Sequence, residues 1–233
     1  MLPNDPIFLT GFWSALTILY YLAAKRIFRR FPKPWLSPLA LTPIALIGTA
    51  LALRTDYAAY IGSTHWLMLL LGPATVAFAI PIWEQRALIR RTWPVLAFGV
   101  LVGSTTAIVC ASAMAHWLGL NDALRLSLVP RSISTPFAMT ISGELGGIPD
   151  LTALFVVVTG VCGAMLGDLL LKFVPVHSTL ARGALFGMGA HGAGVARANQ
   201  IGAEEGSIAG LVMVLVGLTN VLFAPLLVMV FRA

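Results

Sequence analysis

The sequence predicts an all-α integral membrane protein with about eight spans, organised as a single polytopic membrane domain over residues 1–233. Of the 233 residues, 58% are hydrophobic and only 10% are charged, whereas a soluble domain carries about 25% charged residues. Several apolar runs reach the roughly 20 residues that cross a bilayer. Prolines, glycines and hydroxyl side chains interrupt some of these runs where a span should be most apolar, which is typical of transporters.

The apolar runs give the order of the spans, and the basic residues give their orientation. Two basic clusters, Lys25–Lys33 and Arg86–Arg91, follow the first and third spans. An excess of Lys and Arg marks cytoplasmic loops, so we expect a multi-pass protein of the cell (inner) membrane with its N-terminus outside. The same placement makes nucleic-acid binding the weaker interpretation of the net charge of +6. The expected spans are about Ile7–Ala24, Trp35–Leu53, Tyr60–Trp83, Trp93–Leu118, Asn121–Leu145, Asp150–Lys172, Leu180–Ile201 and Ser207–Arg232.

The fifth span contains the most irregular stretch, Leu128–Ser142. Pro130 removes a backbone donor and breaks the helix. Pro136 differs because proline is favoured at a helix start, and Thr135 precedes it as the expected N-cap. Non-helical backbone at bilayer depth survives only where protein or a water-filled cavity covers it. The stretch is therefore expected to form a short helix over about Asn121–Val129, an unwound turn, and a half-helix over about Pro136–Leu145.

Four polar residues of this turn are candidates for binding a small anion. The start of the second half-helix offers free N–H groups and a partial positive charge, with Arg131 beside it. An arginine near the bilayer centre costs at least about 2.5–3.5 kcal/mol, so we predict that Arg131 pairs with a substrate carboxylate through two hydrogen bonds. The alternative is a structural arginine that holds carbonyls of the turn. Ser132, Ser134 and Thr135 are candidates for binding substrate hydroxyls, or act only as helix caps.

The third span also carries an interruption. Gly72 and Pro73 lie near its midpoint, and the proline should kink or break the helix. Paired interrupted segments in two halves of a chain indicate a transporter binding site. We therefore predict that Pro73 and Thr75 line the wall opposite Arg131, although an ordinary kinked helix is an open alternative.

The seventh span is unusually rich in glycine, which costs a helix about 1 kcal/mol per residue relative to alanine. His191 falls near its middle, where a histidine can bind substrate or carry protons in the physiological range. A hydrogen bond between helices is the alternative. Gly189, Gly192 and Gly194 are interpreted as packing or hinge positions. The face expected to carry His191 also contains Gly187, Ala190, Gly194 and Ala198.

Three stretches of the sequence are distinctive: Leu71–Ala77 with Ile80-Pro81, Pro130–Ser142, and Ala190–Gly194. Together they resemble the LrgB/CidB family of membrane proteins, which includes the plastid glycolate/glycerate translocator. The resemblance covers roughly residues 71–226 and implies one of two functions. One is transport of small organic monocarboxylates such as glycolate, glycerate or pyruvate, with proton or cation coupling. The other is a holin/antiholin-like role in murein hydrolase activity and autolysis, acting with a small LrgA/CidA-like membrane partner.

One position departs from the family pattern. Where the family commonly has glutamate, this chain has Thr140, so a proton-carrying carboxylate would have to be Glu144, one turn later. His191 is the other candidate for proton coupling.

Other classes of site are not indicated. No cluster of His, Cys, Asp or Glu has metal-ligand spacing, and no nucleophile–base pair or phosphate loop stands out, so we expect no enzyme, metal or cofactor. Asp168 and Lys172 are spaced for a local surface ion pair. The glycine-rich faces are compatible with a homodimer and equally with packing inside one chain.

Overall fold

The computed structural model describes residues 5–77 and 79–232, and all regular structure in them is helical. They fall into two compact units, one up to Ala77 and one from Ala79 onward. Among the described residues, four helices are long and apolar enough to cross a membrane. The predicted class of all-α membrane protein is therefore confirmed, whereas the count of about eight spans is not. The single membrane domain over 1–233 stays a prediction.

The first unit is built on one long helix. Asp5 caps it by accepting a hydrogen bond from the Ile7 backbone N–H at 3.0 Å. Trp13 is fully buried and packs edge-on against Tyr60, with ring centroids 5.3 Å apart. Its helices are α1 (Pro6–Arg30), α2 (Pro38–Ala52), α3 (Tyr57–Thr64) and α4 (Leu71–Ala77), with 3₁₀ segments at Pro34–Leu36 and His65–Leu70.

Two sequence expectations change in this unit. The basic cluster that was expected to be a loop is mostly helical, because α1 continues to Arg30. The third span is interrupted, but the 3₁₀ segment His65–Leu70 lies before Pro73. Pro73 itself falls in the first turn of α4, where a missing N–H costs no hydrogen bond. The side chain of Thr75 lies outside the described residues, so its place in a binding site stays a prediction.

The second unit contains seven helices among the residues described there. The last of them lies at the centre of the core, where Leu211 and Val216 pack with Val129, Ile133 and Ile141 of the broken span. The helices are α5 (Ala79–Glu84), α6 (Arg86–Trp117), α7 (Asp122–Leu128), α8 (Thr135–Leu145), α9 (Pro149–Phe173), α10 (Thr179–Ile201) and α11 (Ala203–Arg232). The four membrane-length helices are α1, α6, α9 and α11.

Helices α7, α8 and α9 are joined by a buried group of hydroxyls, here called the serine–threonine cluster: Ser127, Ser142 and Thr152, all fully buried. Thr152 Oγ1 lies 2.6 Å from Ser142 Oγ and 3.0 Å from the Ser127 carbonyl oxygen. The Ile148 backbone N–H donates to Ser127 Oγ at 2.7 Å. These bonds fix the end of α7, the end of α8 and the start of α9 against one another.

Glycine is required where α8 turns toward α9. Gly146 ends α8 with φ 91°, a left-handed conformation that glycine adopts without steric cost. At Gly147 a Cβ atom would lie 2.6 Å from Ser142 Oγ and 2.8 Å from the Ser127 backbone nitrogen. A larger residue at position 147 would therefore displace the serine–threonine cluster.

One ion pair differs from its prediction. Asp168 does not pair with Lys172 on its own helix; it accepts from Arg197 Nε of α10 at 2.7 Å. The local spacing allows the predicted pair, but the approach of α10 supplies an arginine with better hydrogen-bonding geometry. Lys172 makes no ion pair with any described residue.

Candidate functional site

The predicted break in the fifth span is present. Helix α7 ends at Leu128 and α8 begins at Thr135, so Val129–Ser134 form the non-helical turn between them. Pro130 is buried in this turn. The prediction of the N-cap is wrong by one residue, because Ser134 occupies that position and Pro136 is the second residue of α8. A proline tolerates either of the first helical positions, since neither N–H has an intrahelical partner.

Arg131 projects from this turn and is half-buried. Its guanidinium makes no hydrogen bond or ion pair with any residue that the structure describes. Cys110 of α6 and His191 of α10 lie within its electrostatic range, and no described Asp or Glu forms an ion pair with it. Among the described residues, the broken span therefore holds an arginine that no carboxylate neutralises.

Ser134 also lacks a hydrogen-bond partner in the part of the chain that the structure describes. Its Oγ atom is buried and unbonded, and the side chain makes no capping hydrogen bond to α8. An unsatisfied buried hydroxyl costs about 1–3 kcal/mol. Ser132 is buried beside it and Thr135 is half-buried at the helix start. The start of α8 is thus left without the side-chain cap that a serine normally provides.

The seventh span contains a second break, at His191. This residue has φ 44° and ψ −124°, so α10 consists of two helical segments that meet there. Such a conformation costs a non-glycine residue about 1–3 kcal/mol. The imidazole is 2% exposed, and neither ring nitrogen has a hydrogen-bond partner within residues 5–77 and 79–232. It lies near Gly160 of α9 and close to the Ser132 backbone, without the geometry of a hydrogen bond.

Glycine residues allow the backbone to pack closely around this break, both within α10 and against α9. Because α10 breaks at His191, Phe186 of its first segment contacts Gly194 of its second segment. A Cβ atom at Gly194 would overlap the Phe186 carbonyl oxygen. A Cβ at Gly163 of α9 would overlap the Gly189 carbonyl. The predicted face of α10 is confirmed as buried. Gly189 and Gly192, by contrast, have open space where a Cβ would lie.

We call Arg131, Ser134 and His191 the open polar centre. Two broken helices carry them: the α7–α8 turn holds the first two, and both Arg131 and the Ser132 backbone of that turn lie near the third. Ser134 Oγ and both His191 ring nitrogens are buried without a partner among the described residues, and the half-buried Arg131 guanidinium forms no hydrogen bond or ion pair with any of them. A small anion with several acceptor oxygens would satisfy such a set, because arginine, hydroxyl and imidazole groups can all donate.

Glu144, the other candidate for proton coupling, is exposed near the end of α8, away from this buried centre. Among the described residues, no group of three or more His, Cys, Asp or Glu is placed to hold a metal ion. The sequence predicts all three residues of the centre as binding candidates, but it does not predict the break at His191. The density of glycine around His191 was the available signal.

Comparison with known proteins gives a consistent result. Residues 17–230 match the LrgB-like family. YwbG, an uncharacterised protein of Bacillus subtilis, is 38% identical over 212 residues, covering 91% of this chain and 94% of its own length. The holin-like protein CidB of Staphylococcus aureus is 28% identical over 216 residues, covering 93% of this chain and 94% of its own. No solved structure matches the chain.

Proposed function

This chain belongs to the LrgB-like family, and we propose that it moves small organic monocarboxylates, of the size of glycolate, glycerate or pyruvate, across the cell membrane. One observation carries the proposal: the open polar centre holds a cationic side chain and two polar side chains without partners among the described residues. Buried polar groups are normally hydrogen-bonded. Groups that are left unsatisfied where two helices break are typical of a substrate site.

A carboxylate suits this centre in charge and geometry. The planar Arg131 guanidinium can donate two parallel hydrogen bonds to the two carboxylate oxygens. Ser134 Oγ and a ring nitrogen of His191 then remain to contact the carboxylate or a hydroxyl or keto oxygen on the adjacent carbon. The positive end of the α8 dipole adds a favourable field for the anion. The buried surroundings favour a small substrate over a bulky one.

Coupling to protons or another cation is part of the proposal. His191 is the first candidate, because histidine changes charge near physiological pH and this one adjoins the proposed substrate position. Glu144 is the second. We place the protein in the inner membrane with its N-terminus outside, on the distribution of basic residues.

The test is uptake of labelled glycolate, glycerate and pyruvate by proteoliposomes, with and without a pH gradient. Losing charge-assisted hydrogen bonds costs about 1.5–3 kcal/mol, so Arg131→Ala should reduce uptake about 10- to 100-fold. Arg131→Lys should recover only part of it, since lysine lacks the planar pair of donors. Arg90→Ala, an exposed arginine of α6, is the control and should leave uptake unchanged. Equal uptake by wild type and Arg131→Ala would refute the proposal.

A holin-like function is the second candidate, and the comparisons favour it over transport of a specific carboxylate. The named relative with a functional description is the holin-like protein CidB, and its similarity extends over nearly the whole chain. On this proposal the protein acts on murein hydrolase activity and autolysis together with a small LrgA/CidA-like membrane subunit. Cell lysis would then be unchanged by Arg131→Ala, whereas uptake of carboxylates would be absent in wild type as well.

A further inference from the structure

We propose that the pocket between the end of α9 and the start of α10 is a second anion site, which binds a phosphate group. The pocket has a volume of about 580 Å³ and is lined by residues of both helices and of the loop that joins them. It goes beyond the proposed function, because it shares no residue with the open polar centre and needs no substrate there. The polar residues that line it are Asp168, Lys172, His177, Arg182 and Arg197.

The lining has an excess of cations. Three of its side chains, Lys172, Arg182 and Arg197, are basic, and Asp168 is the one acidic side chain in the lining described. Asp168 is already engaged by Arg197 at 2.7 Å. Arg182 forms a longer contact, 3.4 Å, with the buried Glu205 outside the pocket lining. Lys172 has no ion-pair partner among the described residues, so its charge is available to a ligand.

Donor groups also remain unused. Arg182 Nη2 reaches Glu205 and donates to the His177 carbonyl oxygen at 3.4 Å, so this side chain is a fixed cation of the lining. The exposed side chains of Lys172 and His177 lie at the mouth of the pocket. Helix α10 begins at the same place, with Ser178 as its N-cap, and adds the positive end of its dipole. Donors that approach from several sides suit a tetrahedral phosphate.

The position of the pocket favours a phospholipid headgroup as the source of that phosphate. Helix α9 is one of the four membrane-length helices, and the pocket lies at its C-terminal end. A phospholipid carries its phosphate at that level, where a membrane-spanning helix emerges. The last residues of α9 and its cap, Phe173 and Val174, are apolar and exposed, as contact with acyl chains requires. Free phosphate would use the same donors without the apolar contact.

The experiment measures thermal unfolding of the purified full-length chain in a neutral detergent. Short-chain phosphatidylglycerol, phosphatidylcholine with the same acyl chains, and inorganic phosphate are each added in turn. The test variant is Lys172→Gln/His177→Gln, because neither side chain makes a hydrogen bond or ion pair in the described structure and the fold should persist. Arg182 is left intact, since its loss would leave Glu205 buried without a partner. The control is Arg90→Gln/Arg91→Gln, two exposed cations of α6 outside the pocket.

A phosphatidylglycerol-specific rise in the unfolding temperature is expected in wild type and control. The double variant should need roughly fivefold more lipid for half of the effect, since one cation contributes about 1 kcal/mol to binding an anionic headgroup. If inorganic phosphate alone raises the unfolding temperature of wild type and control, and the double variant needs more of it, the site is supported with free phosphate as its ligand. The proposal is overturned if neither phosphate source stabilises the wild type, or if the double variant and wild type respond equally.

Discussion

Helix α8 carries a buried polar region at each end, and the two regions differ in whether their groups are satisfied. At its end, Ser142 belongs to the serine–threonine cluster, in which all three side chains are hydrogen-bonded at 2.6–3.1 Å. At its start, Ser134 belongs to the open polar centre, in which Ser134 Oγ and both ring nitrogens of His191 are buried and unbonded. Burial and polarity alone therefore do not distinguish the two regions.

The difference assigns them different roles. A fully satisfied network rigidifies the helices that it joins. An unsatisfied group costs about 1–3 kcal/mol, and a protein that keeps several of them in one place gains stability when a ligand satisfies them. We infer that the serine–threonine cluster holds α8 so that its start stays correctly placed, and that the open polar centre is the part that binds.

The largest effect should come from filling the space that lets α10 break. A Cβ at Gly194 would overlap the Phe186 carbonyl, and overpacking a tight contact costs about 1–3 kcal/mol or more. Gly194→Ala should therefore lower the thermal unfolding temperature and reduce the yield of folded protein. Gly192→Ala is the matched control on the other side of His191, in open space, and should be neutral. Equal stability of the two variants would contradict the close approach at Gly194.

The second-largest effect should distinguish the structural role of the serine–threonine cluster from the binding role of the open polar centre. Thr152→Val keeps the shape of the side chain but removes the hydroxyl that contacts Ser142 and the Ser127 carbonyl. We expect a loss of about 1–3 kcal/mol in the free energy of unfolding, measured by thermal or chemical denaturation. Uptake per folded molecule should stay close to that of wild type. A fall in uptake without loss of stability would place the cluster in the binding machinery instead.

The smallest effect is expected at the start of α8, where removing a hydroxyl should weaken substrate binding and leave stability unchanged. Ser134→Ala removes a buried hydroxyl that has no partner, so the unfolding temperature should stay level or rise slightly. Substrate affinity should weaken roughly fivefold, as expected for one neutral hydrogen bond of about 1 kcal/mol. The concentration for half-maximal uptake measures this change. A marked loss of stability would show that Ser134 has a structural partner, as Thr152 does.

Local signals in the sequence were sufficient to locate the first break. Pro130 and Pro136 act on the backbone around them, so the ends of α7 and α8 were predicted to within about one residue. The N-cap was misplaced from Ser134 to Thr135, because proline fits either of the first two helical positions. Arg131, Ser134 and His191 were all identified as candidates from residue type and predicted depth.

The second break could not be placed from the sequence. Glycine at positions 189, 192 and 194 is compatible with a continuous helix, a hinge or close packing. The break depends on contacts between residues far apart in the chain, such as Gly163 with the Gly189 carbonyl. The pairing of Asp168 with Arg197 was missed for the same reason, since local spacing favoured Lys172.

The most direct test of the open polar centre is equilibrium binding of radiolabelled glycolate to the purified full-length protein, without a membrane gradient. We expect saturable binding by wild type and by Ser142→Ala, which alters the satisfied region, and binding about 10- to 100-fold weaker by Arg131→Ala, since about 1.5–3 kcal/mol is lost. Both variants must be folded, as judged by size-exclusion chromatography. Equal affinity for glycolate in wild type and Arg131→Ala would contradict the account, as would folded wild type that binds neither glycolate nor, in the same assay, glycerate or pyruvate.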